Sequence, residues 1–179
     1  MQVWVALLRA VNVGGRRKVP MAGLRALCED LGWSSVRTYI ASGNVVLAAP
    51  ERSADAVAER LSTAVAARFG FPVPVMVRSP GGLRRLVDDV PPPDAEHLNV
   101  GFLSRQPLAE QVRVWQAGLI NGASIVVAGA DVYLRVPSGL GAPFLSGPAA
   151  KDFGGLATVR NWRTVTALSR LADDVAGAA

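Results

Sequence analysis

Histidine, cysteine and lysine are scarce in this chain, and each shortage removes a class of chemistry. One histidine, His97, and one cysteine, Cys28, cannot supply the nitrogen and sulfur ligands of an ordinary zinc site, so no metal centre is expected. The lone cysteine has no partner for an internal disulfide, in keeping with a reducing compartment. No apolar run is long enough to span a bilayer, because the stretch from Met1 to Leu8 is stopped at Arg9. That opening also lacks the basic segment and small-residue cleavage site of an export signal. The sequence therefore predicts a cytoplasmic protein with no membrane partner. Only Lys18 and Lys151 are lysines, so nearly all positive charge is arginine.

What is present is a large apolar fraction, 50% of 179 residues, which is enough to build a substantial core and excludes a disordered chain. The charge is unevenly spread. Residues 1–79 carry 10 Lys and Arg against 5 Asp and Glu, whereas residues 80–179 carry 9 of each, so the whole excess of +5 lies in the first part. Such one-sided charge attracts phosphates, acidic substrates or nucleic acid. It is equally what an arginine-using chain needs for solubility.

Hydrophobic spacing orders the first 79 residues as β-α-β-β-α-β. Residues 2–8 read as a strand covered on both faces. Pro20 suits a first helical turn, Met21, Leu24, Leu27, Cys28 and Leu31 form one apolar stripe, and Gly32 supplies a left-handed stop. Residues 36–41 and 44–48 read as strands joined by a tight hairpin through Ser42 and Gly43. Ser53 caps a second helix with Val57, Leu61, Val65 and Phe69 on one side, and residues 73–78 form another strand. This is the ferredoxin-like split βαβ order. The fold class expected is thus α+β, with a first ferredoxin-like subdomain over residues 1–79 and a second, modified one over 80–179. That second part reads as a short helix at 82–87, the cluster Pro91-Pro92-Pro93, a strand at 97–103 and a helix at 108–117. A hairpin follows at 124–127 and 132–136, then a Gly/Pro-rich loop at 138–147 and a last helix at 162–175.

Three polar motifs interrupt these apolar elements. The loop from Asn12 to Lys18 joins two glycines, Gly14 and Gly15, to the cations Arg16, Arg17 and Lys18 ahead of a helix, the ingredients of an anion site. Neither a Walker-type nor a dinucleotide-binding glycine pattern is present, and the same residues also make a plain solvated turn. Arg9 closes an apolar strand, where a guanidinium needs either a ligand or a structural partner. Ser42 and Asn44 stand at a strand corner. A nucleophilic Ser42 lacks a base, since no histidine precedes His97, and turn geometry explains the motif as well. Arg160 and Asn161 open the last helix, where Asn161 can cap and Trp162 falls on the buried stripe. Asp88, Asp89, Asp173 and Asp174 read as solvated helix ends.

The stretches at residues 6–15 with 18–21, at 36–46 and at 160–165 resemble a bacterial family known as domain of unknown function 1697, and the resemblance runs from Met1 to about Leu171. It implies paired ferredoxin-like subdomains and brings no established activity, cofactor or catalytic residue. Where members of that family carry a Ser-Lys pair after the last hairpin, this chain reads Pro143-Phe144, and Val159 replaces a second threonine.

Three readings follow. In the first, Arg9, Asn12, Gly14, Gly15, Lys18, Ser42, Asn44, Arg160 and Asn161 converge at one cleft for a small anionic or phosphorylated ligand. In the second, the basic first part binds nucleic acid, although the aromatic signature of RNA-binding sheets is missing. In the third, the motifs are fold determinants without a ligand.

Overall fold

The computed structural model describes residues 1–15, 17–89 and 97–178. The chain divides into two compact units, Met1–Val90 with Thr166–Ala179, and Pro91–Val165. The proline cluster at 91–93 lies outside the described residues. No helix among those described is long and apolar enough to cross a membrane.

In the first unit, β1 (Gln2–Leu8), α1 (Met21–Asp30), β2 (Ser34–Tyr39), β3 (Asn44–Ala49), α2 (Ala54–Phe69) and β4 (Val75–Arg78) follow one another. They form an antiparallel sheet in the order β2-β3-β1-β4. Side chains alternate across a strand, and here both faces are covered. Trp4, Ala6 and Leu8 of β1 and Val45, Leu47 and Ala49 of β3 pack with Leu24, Leu27 and Cys28 of α1 and Val57, Leu61 and Val65 of α2. Val5, Leu7, Val46 and Ala48, which point the other way, are buried as completely. On that side α3 (Pro80–Asp88) packs against β1, burying Leu83 and Leu86. The last helix, α6 (Trp162–Gly177), belongs to this unit from Thr166 onward, with Leu168, Ala172 and Val175 buried. Arg84 of α3 and Asp173 of α6 form an ion pair whose two side chains are both exposed to solvent.

The local signals act as their chemistry requires. The Ser53 hydroxyl accepts from the Ala56 amide at 3.2 Å, and Gly70 ends α2 with φ 81°. Gly32 follows α1 with φ 79°. Pro20 sits one position outside α1, as its N-cap, rather than in its first turn. The β2–β3 connection is a four-residue turn, because Tyr39 pairs with Asn44, and not the two-residue hairpin read from Ser42-Gly43.

The second unit repeats the same order: β5 (Leu98–Leu103), α4 (Ala109–Ala117), β6 (Ser124–Ala128), β7 (Asp131–Arg135), α5 (Gly147–Leu156) and β8 (Ala157–Asn161). Its sheet runs β6-β7-β5-β8, the counterpart of the first. The molecule is thus mixed α+β with two ferredoxin-like subdomains. Helix α5 and strand β8, which hydrophobic spacing did not disclose, complete the second. Trp115 of α4 stacks edge-on against Phe153 of α5, with centroids 5.1 Å apart, and its indole donates to Asp152 at 2.7 Å. Gln111 donates to both oxygens of the same carboxylate, latching the two helices. A Cβ on Gly101 of β5 would lie 2.9 Å from the Phe153 ring, so glycine makes room for that aromatic.

Candidate functional site

The loop after β1 is fastened by one side chain. Both amide hydrogens of Asn12 are used: Nδ2 donates to the Val19 carbonyl at 2.9 Å and to the Ala41 carbonyl at 2.7 Å. Its Oδ1 accepts from the Val19 amide at 2.8 Å, and its own amide donates to the Arg17 carbonyl. Asn12 therefore clamps the loop onto the β2–β3 turn. The clamp holds backbone that most residues avoid. Ala10, Asn12, Arg17 and Ile40 all have positive φ, between 47° and 58°, alongside Gly14, Gly15 and Gly43. A β-branched residue such as Ile40 in that region is a genuine outlier, and such strain persists only where surrounding bonds over-determine it.

Between the two loops lies a hollow of about 370 Å³, lined by Asn12, Gly15, Lys18, Val19, Pro20, Met21 and Ala41. Among the described residues, Lys18 is the one ionisable side chain in its wall. It is exposed and enters no ion pair among the described residues, as is also true of Arg17 nearby. No acidic residue stands in the first turn of α1 to neutralise them. Gly14 and Gly15 leave their surroundings open, with nothing within 4 Å of where a Cβ would sit.

The other candidates in the first unit differ in accessibility. Arg9 is half-buried, and its amide donates to the Pro74 carbonyl at 2.9 Å. Asn44 is fully buried and donates to the Ser42 hydroxyl at 2.8 Å and to the Tyr39 carbonyl at 3.0 Å, bracing the turn from inside. At Gly43, φ is 77° and a Cβ would lie 2.5 Å from Val11 Cγ2 and 2.8 Å from Leu8 Cβ, so this corner admits glycine only.

Arg160 and Asn161 belong to the second unit. Arg160 is buried and donates to the Thr158 hydroxyl at 2.8 Å and the Val159 carbonyl at 2.9 Å. Burial pushes its pKa down to about 10, which leaves it charged at neutral pH. Asn161 caps α6 by accepting from the Thr164 amide at 2.8 Å, and Trp162 is buried. A larger hollow in this unit, about 460 Å³, has carbon walls from Leu140, Pro143, Phe144, Phe153, Ala157 and Val159. The Pro143-Phe144 pair thus forms an apolar wall, and among the described residues no charged side chain lines this space.

Sequence reasoning passed over Glu51, which follows the buried strand β3. Its carboxylate receives Arg60 and, at 3.0 Å, the Trp33 indole, while its backbone carbonyl receives the Trp4 indole. Burial opposes ionisation there, but the hydrogen bonds and the charge of Arg60 outweigh it and hold the carboxyl below its ordinary range. Arg60 also lies over the Trp33 ring at 5.8 Å. The signal available was a carboxylate placed two residues after a fully buried strand.

Both faces of β1 and β3 are buried, so the first sheet offers no open platform for bases. That removes the sheet-platform form of the nucleic-acid reading. Among the described residues, no three of His, Cys, Asp and Glu gather as metal ligands.

Two ferredoxin-like units define the class of protein by fold. The chain belongs to the family described as protein of unknown function (DUF1697), whose model matches residues 1–133. The chain is also similar in structure to a conserved bacterial protein from Streptococcus pneumoniae. The TM-score is 0.73 at 22% identity, covering 95% of this chain and 98% of the other. No curated protein matches.

Proposed function

We propose that this protein binds a small anionic ligand through the loop hollow of its first unit. The observation that carries the reading is Lys18, an exposed ammonium in the wall of a hollow that holds no carboxylate among the described residues. Arg17 adds to the local field, and the net charge of +5 arises wholly within residues 1–79. Positive potential concentrated at a concave site raises the local concentration of anions. Gly14 and Gly15 let a ligand approach the backbone closely. Asn12, Ser42 and Asn44 hold the loops in shape, while Gly15 and Lys18 face the ligand. Arg9, Arg160 and Asn161 are not required by this reading.

The test is a thermal-shift panel of phosphate, pyrophosphate, nucleoside monophosphates and aryl phosphates at low ionic strength. A ligand at 100 times its Kd adds about 2.7 kcal/mol, which raises Tm by roughly 5–10 °C for a protein of this size. Lys18→Ala is expected to abolish the shift, and Lys151→Ala, the other lysine, to leave it intact. No shift with any anion, or equal shifts in the two variants, would sink the proposal.

A further inference from the structure

The hollow beside Lys18 is walled mainly by carbon, which says something about the ligand beyond its charge. Among the described residues, Val19, Pro20, Met21 and Ala41 supply most of its lining, against one ammonium and the Asn12 amide, whose hydrogens are both already bonded. A site for bare inorganic phosphate would surround the ion with donors. Here a naked, strongly hydrated ion would lose water against Met21 and Pro20 and gain little in return.

The neighbouring positions carry the same character. Val13 and Ile40, which flank the lining residues Asn12 and Ala41 in the chain, are 69% and 53% exposed. Ile40 is exposed from a left-handed backbone, φ 47°, that its branched side chain disfavours. The Asn12 bond to the Ala41 carbonyl fixes this arrangement. Strain that presents an aliphatic side chain to water next to a hollow is strain kept at a site of contact.

Resting on the anion reading above, we infer that the ligand is an amphipathic organic anion: a phosphate or carboxylate at Lys18 joined to a compact apolar body lying over Pro20, Met21 and Ala41. The volume of about 370 Å³ suits a small molecule of this kind and is at the lower end of ligand sites. A tenfold gain over the headgroup alone corresponds to about 1.4 kcal/mol. That gain requires removing roughly 55 Å² of apolar surface from water at ~25 cal/mol per Å², about a third of what an aromatic group can bury.

The experiment compares inorganic phosphate, phenyl phosphate and phenol by chemical-shift titration of the full chain. Phenyl phosphate is expected to bind at least about tenfold more tightly than phosphate, with phenol weaker than either, and with shifts at Lys18 and Met21. Met21→Gln is expected to erase most of the preference for phenyl phosphate over phosphate, and a dispersed amide spectrum matching the parent protein shows that the variant is folded. Equal affinities for phosphate and phenyl phosphate would overturn the apolar body and leave the anion reading standing. Phenol binding as tightly as phenyl phosphate would overturn the headgroup at Lys18, and absence of binding by all three would overturn both.

Discussion

Replacing Gly43 by alanine separates two costs that usually arrive together. The first is conformational, because φ at Gly43 is 77° and a left-handed backbone costs an alanine about 1–2 kcal/mol. The second is steric, because the new Cβ would meet Val11 Cγ2 at 2.5 Å and Leu8 Cβ at 2.8 Å. Neither neighbour can easily yield: both are buried, and the Leu8 amide is bonded to the Gly43 carbonyl at 2.8 Å. Overpacking of this kind costs a further ~1–3 kcal/mol, so the sum is about 2–5 kcal/mol. Gly32 provides the control. Its φ is 79°, yet nothing lies within 4 Å of its Cβ direction, so Gly32→Ala carries the conformational cost alone. Hydrogen exchange at the amides of β1 and β3 reads the opening free energy of the first unit directly. If Gly43→Ala costs no more than Gly32→Ala, the argument that this corner is closed by Val11 and Leu8 is wrong.

Two predictions concern titration. The Glu51 carboxyl is held low in the fold, so its contribution is present above the unfolded carboxyl range and is lost as pH falls from about 4.5 through the folded value. Glu51→Gln is expected to cost about 1 kcal/mol at pH 7, modest because the Arg60 side chain is partly exposed to water. It should also flatten the acid side of the stability profile, and an unchanged profile would remove Glu51 as its source. Burial pushes the Cys28 thiol up to about 12, with Glu29 adding to the effect. Cys28 is therefore expected to resist a thiol reagent at pH 8 until the unfolding midpoint in urea, and reaction under native conditions at the rate of a free thiol would contradict its placement.

The first unit was legible because its signals are separate and concordant. Continuous apolar strands, a serine cap at Ser53 and glycine stops at Gly32 and Gly70 each mark a boundary independently. The second unit was read only in part. Helix α5 spans Gly147-Pro148-Ala149-Ala150-Lys151-Asp152-Phe153-Gly154-Gly155-Leu156, and its three glycines and proline argue against a helix locally. Tertiary contacts overrule that preference, since Phe153 is locked between Trp115 and Phe144 and Asp152 is held by two donors. Strand β8 follows with no loop, so no turn residue announces it. At the candidate site, the glycines and Lys18 stood out as a motif. The role of Asn12 did not, because a side chain that bonds residues 7 and 29 positions away has no local signature.

The membership of α6 has a bearing on how the chain matures. Its residues from Thr166 to Gly177 complete a unit whose other elements all lie before Val90, and the ion pair from Arg84 to Asp173 spans 89 positions. During synthesis the leading strands emerge long before the segment that joins them, so the first unit is the last to be finished. The interposed unit, contiguous from Pro91 to Val165, is complete before that helix has emerged. A nascent chain stalled ahead of Thr166 lacks Leu168, Ala172 and Val175, which are buried in the finished unit, and an incomplete unit of that kind is the sort of species that exposes apolar surface.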